Sequence, residues 1–128
     1  MTGFSHVQLL VKDVGASEQW YTTVLGMRRF YGDASTGYVG LVHRGSGMVI
    51  ALSQAPVDAR GPGSPLDHVA FAVADPATLQ RWADELARRG FEHDGVVAEG
   101  RNSSLQLRDP DGIAVELVAP GPPAPANA

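Results

Sequence analysis

Cysteine is absent from the 128 residues of this chain. That absence excludes thiolate nucleophiles, CxxC redox pairs, disulfide staples, zinc ribbons and iron–sulfur ligation, and it confines any metal to histidine, aspartate and glutamate. Positive charge is scarce as well: Lys+Arg total 10 against Asp+Glu 14, a formal net charge of −4. Lys12 is the only lysine. Without a basic field to neutralise phosphates, the composition argues against nucleic acid and for a small-molecule substrate or drug. Long apolar runs are also missing. Nothing approaches the ~20 consecutive apolar residues that cross a bilayer. The first residues, MTGFSHVQLLVKDV, alternate apolar with polar side chains and do not place a basic stretch before an apolar one. The expectation is a cytoplasmic protein with no membrane partner.

What is present suffices for a core. At 44% hydrophobic residues the chain can fold as one domain without a metal or disulfide staple. Residues 121–128 (GPPAPANA) carry neither charge nor periodicity and read as a disordered tail.

The chain repeats itself. His6-Val-Gln-Leu-Leu-Val-Lys-Asp13 aligns with His68-Val-Ala-Phe-Ala-Val-Ala-Asp75, and Trp20 with Trp82, at one constant offset. Gly26 and Gly90 close the helix that follows in each copy, glycine being suited to the left-handed turn at a helix end. Gly47-Met-Val-Ile-Ala-Leu52 then matches Gly112-Ile-Ala-Val-Glu-Leu117. Alternation predicts strands over 6–12 and 68–74. Further strands are expected over Arg28–Tyr31, Gly37–His43 and Met48–Ser53, and over Phe91–Ala98, Ser103–Leu107 and Ile113–Val118. The order is βαβββ twice: a first module over 1–57, a linker over 58–65 rich in glycine and proline, and a second module over 66–120. Neither module can bury enough surface alone, so the expected class is α+β, two paired βαβββ modules forming curved mixed sheets around a cavity.

Strand parity separates the two faces. Val7, Leu9 and Val11, like Val69, Phe71 and Val73, are bulky and suit packing under a helix. The opposite faces carry His6, Gln8 and Leu10, and His68, Ala70 and Ala72, and so suit a cavity. Glu116 faces the cavity too, with Val115 and Leu117 turned away. Two imidazoles and one carboxylate form a facial metal set with positions left for substrate, open to Fe, Mn, Zn, Ni or Co. The competing reading is a metal-free cavity. Ala51 stands at the first-module position equivalent to Glu116, so the repeat supplies one carboxylate and not two.

On these residues the chain resembles the vicinal oxygen chelate superfamily, which includes glyoxalase I, bleomycin-resistance proteins, type I extradiol dioxygenases, fosfomycin-resistance enzymes and methylmalonyl-CoA epimerase. The resemblance spans about residues 4–119 and rests on His6-Val-x-Leu-x-Val-x-Asp, Trp20-Tyr21-x-x-Val-Leu25-Gly26, Asp67-His68-Val-Ala-Phe and Asp109-Pro-Asp-Gly-x-x-x-Glu116-Leu. It implies the paired βαβββ fold, a homodimer, and a divalent metal that chelates adjacent substrate oxygens as a Lewis acid. The metal ligands it implies are His6, His68 and Glu116, with Glu116 also the catalytic carboxylate. The reaction is then dioxygenase, lyase or isomerase, or transferase chemistry, and the alternative is a metal-free protein of the bleomycin-resistance type that sequesters a drug. The chain departs from the glyoxalase and epimerase members at Ala51. It departs from the dioxygenase and fosfomycin members at Gln106, where they carry tyrosine, and from the fosfomycin enzymes at Gln8, where they carry threonine. Tyr38, Gln8, Arg101 and Gln106 are the expected substrate-binding residues, with His43 and Ser104 as weaker candidates at the same mouth. Trp20 and Trp82, at equivalent helix positions, are expected in the core. His93 falls in an expected surface strand and is given no role.

Overall fold

The computed structural model describes residues 3–56, 66 and 68–121. The expected linker over 58–65, and the tail beyond Gly121, lie outside the described residues. In the first half the elements are β1 (Val7–Val11), α1 (Val14–Leu25), β2 (Arg28–Asp33), a short 3-10 turn at Ala34–Thr36, β3 (Tyr38–His43) and β4 (Met48–Gln54). In the second they are β5 (His68–Ala72), α2 (Pro76–Arg88), β6 (Val96–Glu99), β7 (Asn102–Arg108) and β8 (Ala114–Ala119). The βαβββ order holds in both.

Each half builds its own four-stranded mixed sheet, β1-β4-β3-β2 and β5-β8-β7-β6. β1 runs parallel to β4 and β5 parallel to β8, while the remaining pairs are antiparallel. Register makes the repeat concrete. Gln8 lies opposite Ala51, and Ala70 opposite Glu116, so Ala51 and Glu116 are structural equivalents. The chain divides into two compact units, the first holding β1–β4 and α1 together with Asp109–Asp111, the second holding β5–β8 and α2.

Both helices start and stop where the sequence dictates. Asp13 caps α1 by accepting from the Ala16 N–H at 3.0 Å, and Asp75 caps α2 by accepting from Thr78 N–H at 2.7 Å, ahead of Pro76 at the first helical turn. Gly26 ends α1 in the left-handed region at φ 70°. The helix-side faces form the cores. Leu9, Val11, Val39, Leu41, Ile50 and Leu52 bury against Val14, Tyr21 and Val24 of the first helix, and Leu105, Leu107, Val115 and Leu117 against Leu79, Ala83 and Leu86 of the second. At roughly 1.5–3 kcal/mol for each fully buried large apolar side chain, these stripes supply most of the favourable energy of each unit.

Three expectations need correction. Trp20 and Trp82 are half-buried, not core, because the buried stripes run Val14, Ser17, Tyr21, Val24 and Leu79, Ala83, Leu86, each one position away from the tryptophan. Tyr21 is fully buried in place of Trp20. β6 begins at Val96 and not at Phe91, since the preceding loop is organised around His93. The His93 Nδ1 accepts from Gly95 N–H at 3.0 Å, and its Nε2 lies 2.8 Å from the Ala83 carbonyl of α2, so the ring ties the loop to the helix.

Tyr21 also explains the Asp109-Pro-Asp-Gly sequence. Its hydroxyl donates to Asp109 Oδ2 at 3.0 Å, while Asp111 accepts from Lys12 N–H at 2.8 Å and from the Ser17 hydroxyl at 3.3 Å. Burial, then the neighbouring Asp109 carboxylate, pushes the Tyr21 phenol well above its ordinary value.

Candidate functional site

In each unit one sheet face is covered by its helix and the other carries the residues of chemical interest. On the second unit, Glu116 in β8 sits between Ala70 of β5 and Gln106 of β7, directly opposite both in register. His68 is two residues before Ala70 and therefore on the same face. Its Nε2 lies 3.7 Å from Glu116 Oε2, and Gln106 Nε2 donates to Glu116 Oε1 at 3.4 Å. The small side chain of Ala70 leaves the histidine room to reach across. The Glu116 side chain is only 12% exposed, against 42% for His68. A carboxylate so enclosed, met by one long amide hydrogen bond and one imidazole, has capacity for a cation.

Donor chemistry is consistent with a divalent ion. Nitrogen and oxygen ligands at about 2.1 Å from one ion stand roughly 3.0–3.5 Å apart, close to the separation of this pair. Among the described residues, no group of three His, Asp or Glu side chains stands together as a metal site. The second unit thus brings together His68 and Glu116. His6 belongs to the first unit.

The open face of the first unit has a different character. A cavity of about 310 Å³ is lined by His6, Phe30, Tyr31, Tyr38, Gly40 and Ala51, with Ser5 and Val49 completing it. Ser5 Oγ lies 3.1 Å from His6 Nδ1, which leaves Nε2 as the nitrogen for a ligand. Tyr31 and Tyr38 meet edge to face, with centroids 5.7 Å apart and planes at 80°. Two consecutive aromatics share this face because of a bulge. Arg29 pairs with Leu41 and Tyr31 with Gly40, leaving Phe30 as an extra residue in β2. Strict alternation would have sent Phe30 and Tyr31 to opposite faces. Gly40 accommodates the result: a Cβ there would stand 3.1 Å from the Phe30 ring. A glycine inside a strand is the one sequence signal that marked the bulge; Phe30, Tyr31 and Gly40 were not among the expected site residues.

The remaining expected residues scatter. Tyr38 shares the cavity with His6. Gln8 faces the same side of the first sheet but engages Ser53 Oγ at 2.6 Å. Gln106, besides its bond to Glu116, lines a second hollow of about 790 Å³ with Phe91, His93, Asp94 and Arg108. Arg101 is exposed in the turn between β6 and β7, and neither hollow includes it. His43 engages Ser46 in the β3–β4 turn, and Ser104 is buried at 4% exposure.

The sequence pattern described as the Glyoxalase/Bleomycin resistance protein/Dioxygenase superfamily matches residues 3–117. Over 74 residues the chain is 36% identical to the Bacillus subtilis protein named "Putative ring-cleaving dioxygenase MhqA"; the match covers 58% of this chain and only 23% of that protein. Among solved structures, a glyoxylase/bleomycin resistance protein/dioxygenase domain from Frankia sp. EAN1pec is 28% identical, with a TM-score of 0.76 over 94% of this chain and 93% of that one. A lactoylglutathione lyase from Agrobacterium tumefaciens is 18% identical, with a TM-score of 0.77 over 93% and 94% of the two chains. The second of these likenesses is one of fold alone. Among the described residues no helix is long and apolar enough to cross a membrane.

Proposed function

Because the chain belongs to the Glyoxalase/Bleomycin resistance protein/Dioxygenase superfamily, we propose that it is a divalent-metal-dependent enzyme acting on a small, oxygen-rich organic substrate. His6, His68 and Glu116 are the proposed ligands, and a cytoplasmic homodimer is the proposed working form. The observation that carries this reading is the His68–Glu116 pair, an imidazole and an enclosed carboxylate 3.7 Å apart on one sheet face. His6 joins the set as the repeat equivalent of His68. The ion, when bound, supplies Lewis-acid polarisation of adjacent substrate oxygens.

The chain's own contribution follows from its side chains. Glu116 supplies the anionic oxygen, and the Gln106 amide, donating to Oε1, fixes the carboxylate so that Oε2 turns toward His68. Ala51 leaves the first sheet without a matching carboxylate, so proton transfer has no second acid–base group at that position. The apolar wall at Tyr38 and Phe30 excludes water from one side of a bound molecule. Oxygenative cleavage, isomerisation or lyase chemistry, and group transfer all remain within this arrangement. The partial likeness to the Bacillus subtilis protein named "Putative ring-cleaving dioxygenase MhqA" favours the first.

A second reading, sequestration of a drug without metal, is favoured by the aromatic cavity, since that hollow needs no ion to bind a ring. Metal analysis of protein purified without chelator separates the two. The enzyme reading expects about one ion per chain and its loss in His68→Ala; substoichiometric metal, with ligand binding untouched by that substitution, supports sequestration.

A further inference from the structure

The two sheets have diverged in a way that the repeat does not require. Where the second unit places Glu116 and Gln106, the first places Ala51 and Gly40, opposite each other in register. Removing two long polar side chains from the centre of a sheet leaves a shallow floor. The β2 bulge then turns Phe30 and Tyr31 onto that face, and Tyr38 closes the side in edge contact with Tyr31. Among the described residues, no lysine, arginine, aspartate or glutamate lines the hollow. We infer that this hollow is the seat of a flat, uncharged aromatic ring of the ligand, and that Gly40 sets its depth. The inference rests on the proposal that this face is the substrate side, and it names the substrate class.

Size and chemistry agree with that occupant. A cavity of roughly 150 Å³ accepts benzene, so about 310 Å³ accepts one or two fused rings. Aromatic walls favour edge-to-face and offset contacts that a saturated ring cannot make. Away from any ion held at His6, a phosphonate or carboxylate would meet no lysine or arginine among the described lining residues, and its desolvation would go uncompensated. His6 lines the same hollow, and its ring nitrogen could pair with a hydroxyl on the bound ring. Any side chain at position 40 must either displace the Phe30 ring, 3.1 Å from a Cβ there, or fill the floor.

The test is titration calorimetry on the whole chain in the presence of EDTA, with 1-naphthol, its fully saturated analogue and phenylphosphonate as probes. The expected result is that 1-naphthol binds at least tenfold more tightly than either of the others. Gly40→Val is expected to weaken it at least tenfold, and Phe30→Ala by roughly 2- to 13-fold, the worth of one aromatic contact. Phe30 is 58% exposed, so its removal leaves the core intact and decides the matter if Gly40→Val fails to fold. Equal binding of the saturated or charged probe, or unchanged affinity in Phe30→Ala, overturns the inference. Because chelator is present throughout, ring binding is read independently of metal: loss of one with retention of the other identifies which of the two proposals has failed.

Discussion

Tyr21→Phe removes one atom from a fully buried side chain and so isolates a single interaction, the hydrogen bond from its hydroxyl to Asp109 Oδ2. Asp109 is itself buried, 5% exposed, and keeps the Asp111 N–H on Oδ1 at 2.9 Å. A hydrogen bond to a charged acceptor is worth about 1.5–3 kcal/mol net. With an unfolding entropy of about 2.1 cal/mol/K per residue, that corresponds to a fall in Tm of about 6–11 °C, read by far-ultraviolet circular dichroism. The pH dependence is the sharper test. Burial and Asp109 raise the Tyr21 phenol in the folded state, so its contribution is present below the unfolded tyrosine value near 10 and fades as pH climbs toward the folded value. Urea titrations from pH 7 to 11 should therefore show a constant gap between wild type and variant up to about pH 10, then a gap narrowing by up to ~1.4 kcal/mol per pH unit. A gap below ~0.5 kcal/mol at pH 7, or one that ignores pH throughout, would refute the reasoning.

Other outcomes are equally definite. Gln106→Leu should weaken divalent-metal binding by roughly 10- to 100-fold without loss of secondary structure, as removal of a ligand-orienting partner does; an unchanged dissociation constant in a competition assay would contradict the role given to its amide. Leu79→Ala, at a fully buried position under β7 and β8, should cost about 2–5 kcal/mol in urea denaturation, and a cost under ~1 kcal/mol would mean the second core is packed elsewhere. The hydrogen bonds from Thr78, backbone first, hold the Asp75 carboxyl below its ordinary value, so its cap stabilises the fold above the usual carboxylate range and fades as pH drops through the lowered value. Asp75→Asn should flatten the acid limb of a Tm–pH profile; superimposable limbs would exclude the cap as a contributor. Sedimentation at micromolar concentration should give a dimer, and a monomer would sink that assignment.

The fold was legible because its signals are local and doubled. Two histidine-led alternating strands, two Asp caps and two helix-ending glycines set the βαβββ order, and the register places Ala51 and Glu116 in equivalent positions, as the repeat implied. The failures share one cause, since each depends on a tertiary detail that period counting does not carry. Trp20 misses the buried stripe by one residue; Phe30 and Tyr31 share a face only through a bulge; the segment before Val96 is shaped by a histidine reaching back to a helix carbonyl. Within the candidate site the His68–Glu116 proximity follows from strand parity, whereas the aromatic hollow beside His6 required knowing where one extra residue in β2 would fall.

That Asp109–Asp111 complete the first unit has a temporal consequence. During synthesis Tyr21 emerges long before its acceptor, the two being 88 residues apart, and Lys12 precedes Asp111 by 99. At about 5–20 residues per second the nascent first sheet must wait roughly 4–18 s for the aspartates that satisfy its buried hydroxyl. The unit that is made first is therefore finished late, and splitting the chain between its two repeats would leave the leading half with a phenol in its core and no carboxylate to receive it.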